Sequence, residues 1–228
     1  MQSSVLVVST DPQGSAVTWA EKVGDNLPFD FMAAHHAADQ LVRLKQHGAK
    51  IHVIANQKGG VGKTTTTVNL AAVTHDTLGE TDTYQHIFID TPGTLADEEI
   101  LNRALDIADD VVVPMITEPL CFDPTARTIQ RVIEPRGIPY RVVINNWDPR
   151  DGKADLEDTR AYIDKRGWPV ARGVVRRYKI HSRAIAEGTV VTQYRDSQTA
   201  YRGRQDYFKL ALELGYGGSV APVGKAGA

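Results

Sequence analysis

The chain has 228 residues, 42% of them apolar, enough to bury one substantial core; a single α/β domain over residues 1–214 with a flexible, glycine-rich tail over 215–228 is the expected organisation. No stretch approaches the ~18 to 20 consecutive apolar residues that span a bilayer, and residues 1–8 carry no basic flank, so a cytoplasmic protein without a membrane anchor is expected. The single cysteine, Cys121, excludes an intramolecular disulfide, and the net charge of −2 conceals an asymmetry, since residues 165–209 hold eleven Lys and Arg against three Asp and Glu.

Residues 4–9, Ser-Val-Leu-Val-Val-Ser, form the continuous apolar run of a parallel strand covered on both faces. The run ends at Thr10-Asp11-Pro12-Gln13-Gly14. Open α/β sheets bind ligands off the carboxyl ends of their strands, which makes Asp11 a site candidate. A helix is expected over 15–22, an edge strand over 27–33, and a helix over 35–46 with Ala37, Ala38, Leu41, Val42 and Leu44 on its apolar face. His35 and His36 are adjacent, point in different directions on a helix and have no matching ligand set nearby, so they read as solvent-facing.

A short strand over 51–55 then leads through Lys58-Gly59-Gly60-Val61-Gly62-Lys63-Thr64-Thr65 into a helix starting near Thr64. Gly59, Gly60 and Gly62 let the main chain curl so that successive N–H groups, those of Val61 and Thr65 included, face a polyphosphate, and the positive end of the helix adds to that field. Lys63 reaches the β- and γ-phosphates as a point charge, and the Thr64 hydroxyl is placed to hold Mg2+.

A third strand over 84–90 carries Asp90 at its carboxyl end, followed by the turn Thr91-Pro92-Gly93. A helix over 96–108 begins with Asp97, Glu98 and Glu99, where the helix dipole favours acids. Strands over 111–115 and 140–145 flank a helical stretch over 125–133; a helix over 154–166, a late strand over 170–175 and an amphipathic helix over 198–214 complete the chain. That last helix presents Tyr201, Phe208, Leu210, Leu212 and Leu214. The alternation argues for a doubly wound, mostly parallel sheet with helices on both faces. Asn145 and Asn146, at a strand's carboxyl end, either pair with the edge of an adenine or cap a turn.

The form K-G-G-V-G-K-T-T-T, with its leading lysine, resembles the deviant Walker A box of the ParA/MinD family of ATPases, the ParA branch in particular. Asp11-Pro12-Gln13-Gly14-Ser15-Ala16 is similar to that family's second box, Ile87-Phe88-Ile89-Asp90-Thr91-Pro92-Gly93 to its Walker B, and residues 174–194, more weakly, to its C-terminal region. The resemblance implies a P-loop NTPase that binds ATP and Mg2+, with Asp90 orienting the metal through water and Asp11 placing the attacking water. It implies that Lys58 crosses to the nucleotide of a second subunit, so that ATP drives a homodimer. It also implies that Arg172, Arg176, Arg177, Lys179 and Arg183 belong to a surface that binds DNA without sequence preference, which makes the protein nucleoid-associated. Such a protein partitions DNA, and a centromere-binding, ParB-like partner stimulates its otherwise slow hydrolysis. The alternatives are a related ATPase that positions a protein cargo and a DNA-binding switch with little turnover. Ser9 departs from the Asp that many relatives carry.

The order of the boxes also departs from the family, because the segment 50–82 follows the D-P-Q-G strand instead of preceding it and looks transposed. If the sheet keeps the family's order, the Walker B strand lies between the other two, each crossover stays right-handed, and Asp11 comes close to Lys63.

Overall fold

The structure is a computed structural model that describes residues 2–11, 15–33, 38–93, 98–195 and 197–217. Its strands are β1 (Gln2–Ser3), β2 (Val5–Ser9), β3 (Asp30–Ala33), β4 (Lys50–Ile54), β5 (Glu80–Thr81), β6 (His86–Asp90), β7 (Asp110–Met115) and β8 (Tyr140–Ile144). Six of them form one sheet in the order β3-β2-β6-β4-β7-β8, every pairing parallel, while β1 and β5 make a short antiparallel pair beside it. β6 lies between β2 and β4, the order expected for the Walker B strand, and the register sets Ser9, Asp90 and Ile54 side by side at the carboxyl edge.

Alternate residues of each strand feed two cores. Val5, Val7, Ile54, Phe88 and Val112 pack against α1 (Ser15–Val23), α3 (Lys63–Leu78), α7 (Lys179–Ala186) and α8 (Gln198–Leu214). Leu6, Val8, Ile51, Ile87 and Val113 pack against α2 (Ala38–Gln46), α4 (Glu98–Asp106), α5 (Phe122–Thr128) and α6 (Ala154–Lys165). The doubly wound fold follows from this two-sided burial. α3 is buried from Thr66 to Thr74, held between the sheet and α8.

Several sequence expectations are corrected. The edge strand starts at Asp30 instead of residue 27, and Val42 is 40% exposed while Leu41 and Leu44 of α2 turn inward. His35, His36 and Ala37, and the first residues of the helix expected from 96, lie outside the described residues. The helical stretch begins earlier than 125, with a 3-10 turn over Pro119–Cys121, then α5, then a π-helical turn over Ile129–Ile133. The late strand over 170–175 does not form: only isolated bridges join Val142 to Val170 and Trp147 to Arg176, because the N–H groups of Arg172 and Gly173 turn to the Glu213 carboxylate (2.8 and 3.3 Å). α7 was not expected, although Ile180 and Ala184, one helical turn apart, are both buried.

α8 has the expected bounds, its start capped by Ser197 Oγ accepting from Ala200 N at 3.0 Å. Its buried face is Ala200, Tyr207, Leu210 and Ala211, however, while Tyr201 and Leu212 are exposed. Tyr216 is buried, its phenol donates to Asp110 Oδ1 at 2.6 Å and its ring lies 4.0 Å from His52. Residues 218–228 lie outside the described residues.

Candidate nucleotide site

The carboxyl edge of β2, β6 and β4 brings the boxes together. Gly60 and Gly62 adopt φ of 78° and 86°, a left-handed conformation that favours glycine, and Val61 between them packs on Ile116 and Cys121. Gly59 and Gly60 are exposed, Thr65 is half-buried, and α3 starts at Lys63 with its amino end toward the bend. Thr10 N and Oγ1 both donate to the Asp90 carbonyl (2.9 and 2.8 Å), and Thr91 Oγ1 donates to Ile54 O at 2.7 Å, which locks the three strand ends to one another.

Lys63 is 8% exposed; burial pulls its ammonium below the ordinary lysine range, against the pull of Asp90 and Asp11. The charge of Asp11 thus reaches both Lys63 and Asp90, as the topology predicts. Pro12, Gln13 and Gly14 lie outside the described residues. Gly93, one turn past Asp90, passes so close to the bend that a Cβ there would stand 2.7 Å from Lys63 Nζ and 3.2 Å from Gly59 Cα.

Asp90 is 1% exposed, and Thr64 Oγ1 donates to its Oδ2 at 2.7 Å. A hydroxyl and a carboxylate, both hard oxygen donors, meet beside a phosphate loop, and this donor pair fits Mg2+. Burial pushes the Asp90 carboxyl up to about 6, with Thr64 and Lys63 opposing and Asp11 adding. Between an unfolded-state value of 3.8 and about 6 the folded protein keeps a proton that the unfolded chain has lost. Asp90 therefore weighs increasingly against the nucleotide-free fold as pH rises through that window, while a metal held by it, which needs the ionised form, would bind more tightly. Mg2+-dependent nucleotide affinity, followed by fluorescence, is expected to rise with a midpoint near 6 and to be flat in Asp90→Asn. A wild-type profile without inflection between pH 5 and 7 would remove Asp90 from the metal site.

Asn145 is 4% exposed, and its Nδ2 donates to Val61 O at 2.7 Å, so this amide braces the bend; Asn146 is exposed with φ 57°. Lys58 is half-buried. A groove of about 1690 Å³ runs from Gly60, Gly62 and Thr65 past Asn145 and Asn146 to the basic segment. Arg177, Lys179 and Arg183 line it and are exposed. Arg176 also lines it but is clamped to Asp206, Nη2 to Oδ1 at 2.6 Å and Nε to Oδ2 at 2.9 Å, and Arg172, largely exposed, lies outside the groove lining with its Nε 3.7 Å from Glu213.

Sequence reasoning assigned no site role to Thr10, Thr91 and Gly93, nor to Asn56, Thr125 and Thr128, which hold the loop ahead of the glycines. Thr91 and Gly93 lie within the Walker B stretch and Thr10 in the turn after β2, but the roles of all six are set by partners distant in sequence.

The fold and this edge define a P-loop NTPase. Comparison with known proteins agrees: a family described as an AAA domain matches residues 49–80. The Maintenance of carboxysome distribution protein A of Gloeobacter kilaueensis is 30% identical over 92% of this chain and 80% of its own length. Among solved structures, the ATP complex of Cyanothece McdA(D38A) aligns with a TM-score of 0.52 at 12% identity, covering 93% of this chain and 85% of that one. An AMPPNP-bound Borrelia burgdorferi B31 protein assigned to plasmid partition, BB_S35, aligns at 0.51 and 16% identity, covering 93% and 87%. The chain belongs to the ParA/MinD family of ATPases. Membership implies nucleotide hydrolysis, and among the described residues no helix is long and apolar enough to cross a membrane.

Proposed function

We propose that this protein is an ATPase that positions a protein cargo, using an ATP-dependent homodimer and DNA as the surface on which it moves. The observation that carries the ATPase is the convergence of the glycine bend, Lys63 and the Thr64–Asp90 pair at one sheet edge. The relative named for carboxysome distribution supports a protein cargo over a DNA cargo.

In this reading Lys63 and the N–H groups of Gly59 to Thr65 hold the phosphates, and Thr64 and Asp90 hold Mg2+, which neutralises phosphate charge when bound. Asp11 orients the attacking water. Asn145, whose Nδ2 is engaged on Val61 O, has its Oδ1 to offer a base, with Asn146 beside it. Lys58 contacts the second subunit's nucleotide, the deviant Walker A role. Catalysis of this kind is positioning and electrostatics. DNA phosphates fall to Arg177, Lys179 and Arg183, exposed along the groove, with Arg176 and Arg172 held on Asp206 and Glu213, and that binding weakens steeply with salt. The AAA-domain match to residues 49–80 supports a self-contained phosphate-binding unit set late in the chain, the transposed order. One domain then extends past 214 to include Tyr216, in a cytoplasmic, nucleoid-associated protein.

Asp11→Ala is expected to lower ATP hydrolysis about 100-fold while leaving ATP binding intact. In cells carrying that variant the cargo assembly, imaged as a fluorescent fusion, should lose its even spacing while resident plasmids are retained. Even spacing retained alongside plasmid loss would favour the second reading, DNA partition with a centromere-binding partner, for which the basic groove is the supporting observation.

A further inference from the structure

The two backbone N–H groups just ahead of the glycine bend are held by side chains, not by secondary structure. Asn56, 1% exposed, accepts from Lys58 N at 3.0 Å, while its Nδ2 donates to Pro114 O and to Thr125 Oγ1, both at 2.9 Å. Thr128 Oγ1 accepts from Gln57 N at 3.0 Å and donates to Pro124 O at 2.9 Å. A buried amide is costly unless its polar atoms are paired, and this one is paired to three places at once: the end of β7, α5 and the loop.

Past Lys58 this hold ends. Gly59 and Gly60 are exposed, and no atom lies within 4 Å of where their Cβ atoms would stand. The side-chain hold on backbone N–H groups therefore stops at the leading lysine, and the next brace on the loop is Asn145 on Val61 O. The Lys58 carbonyl has Lys63 Nζ as its partner at 3.3 Å. When Lys63 engages phosphate, the Asn56 contact still holds Lys58 from its N–H side.

We propose that Asn56 and Thr128 are positioning residues that set the reach of the Lys58 side chain, Asn56 by holding the Lys58 N–H while bound to Thr125 of α5, and Thr128 of α5 by holding the N–H of Gln57 just before it. The proposal rests on the reading that Lys58 acts in hydrolysis. It makes α5 the element through which Lys58 can be moved without disturbing Lys63 or Thr64, which belong to α3. α5 runs directly into the π-helical turn Ile129–Ile133, a departure from α-helical register that is rare and often sits at functional positions.

Thr128→Val keeps the shape and removes the hydroxyl; Thr128→Ser keeps the hydroxyl. Turnover, affinity for a fluorescent ATP analogue and Tm are measured for both, and for Thr128→Val in a Lys58→Ala background. Thr128→Val is expected to lower kcat at least about fivefold with affinity within about twofold, Thr128→Ser to restore kcat, and the Lys58→Ala background to shrink the effect below about twofold. Asn56→Ala should behave as Thr128→Val, and if it does not fold the Thr128 pair carries the test. An equal loss of affinity and kcat, or an undiminished effect in Lys58→Ala, overturns the proposal. Wild-type hydrolysis by Lys58→Ala removes the reading of Lys58 and this proposal with it, whereas a slow Lys58→Ala beside a normal Thr128→Val removes the positioning role alone.

Discussion

Replacing Lys63 with methionine is expected to lower ATP hydrolysis by at least about 100-fold while raising the melting temperature of the nucleotide-free protein. The ammonium sits in a site that leaves the residue 8% exposed, and burial already pulls it below the ordinary lysine range despite Asp90 and Asp11. Its one hydrogen-bond acceptor among the described residues is the Lys58 carbonyl at 3.3 Å, a weak replacement for water. Methionine keeps the buried stem and discards the charge, a gain on the order of 1 kcal/mol, or about 2 to 4 °C for a chain of this size. The wild type should recover the cost of its buried charge on binding Mg2+ and ATP, because a ligand that binds only the folded state stabilises it by mass action. The variant should show almost no shift on adding ATP. Hydrolysis within tenfold of wild type, or an undiminished ATP-induced shift, would mean that Lys63 does not meet the phosphates.

Gly62→Ala is the second change expected to have a large effect, and here two separate costs act at one position. Gly62 has φ 86°, where an L-residue costs about 1–2 kcal/mol, and an added Cβ would stand 2.4 Å from Asn145 Nδ2. Relief requires Asn145 to abandon Val61 O, which frees the bend it braces. A loss of about 2–3 kcal/mol, read as a fall in Tm, and at least a tenfold loss of nucleotide affinity should appear together. Gly59→Ala is the control, since nothing lies within 4 Å of its Cβ position and its φ is ordinary. Equal damage from the two substitutions would show that the cost lies in loop flexibility and not in the contact with Asn145.

Features that depend on local pattern were legible in the sequence. The runs at 5–8, 51–54 and 87–89 became the three strands that meet at the site, because strands buried on both faces are built almost wholly from apolar residues; the one polar member, His52, is buried with its Nδ1 paired to Asp110. The glycines announced the bend, and Asp90 was placed by its position at a strand end. Illegible were choices made by distant partners. Whether Arg176 faces an anion or a carboxylate is decided by Asp206, thirty residues later, and whether residues 170–175 join the sheet is decided by Glu213 on α8. Asn145 was legible as a polar residue at a strand's carboxyl end, but its Nδ2 partner, the carbonyl of Val61, lies eighty-four positions away.

The placement of β6 bears on how the chain acquires its activity. β2 and β4 are not bonded to each other, and both wait for the strand that runs between them, which is the last of the three to leave the ribosome. Until His86–Asp90 exists, the emerging polypeptide has a lysine and a glycine bend but no acidic strand to set them against. Phosphate capture is thus a late event in maturation, reached through contacts between segments far apart in sequence, the kind that form slowly. Acquisition of nucleotide affinity during refolding therefore timestamps closure of the central sheet.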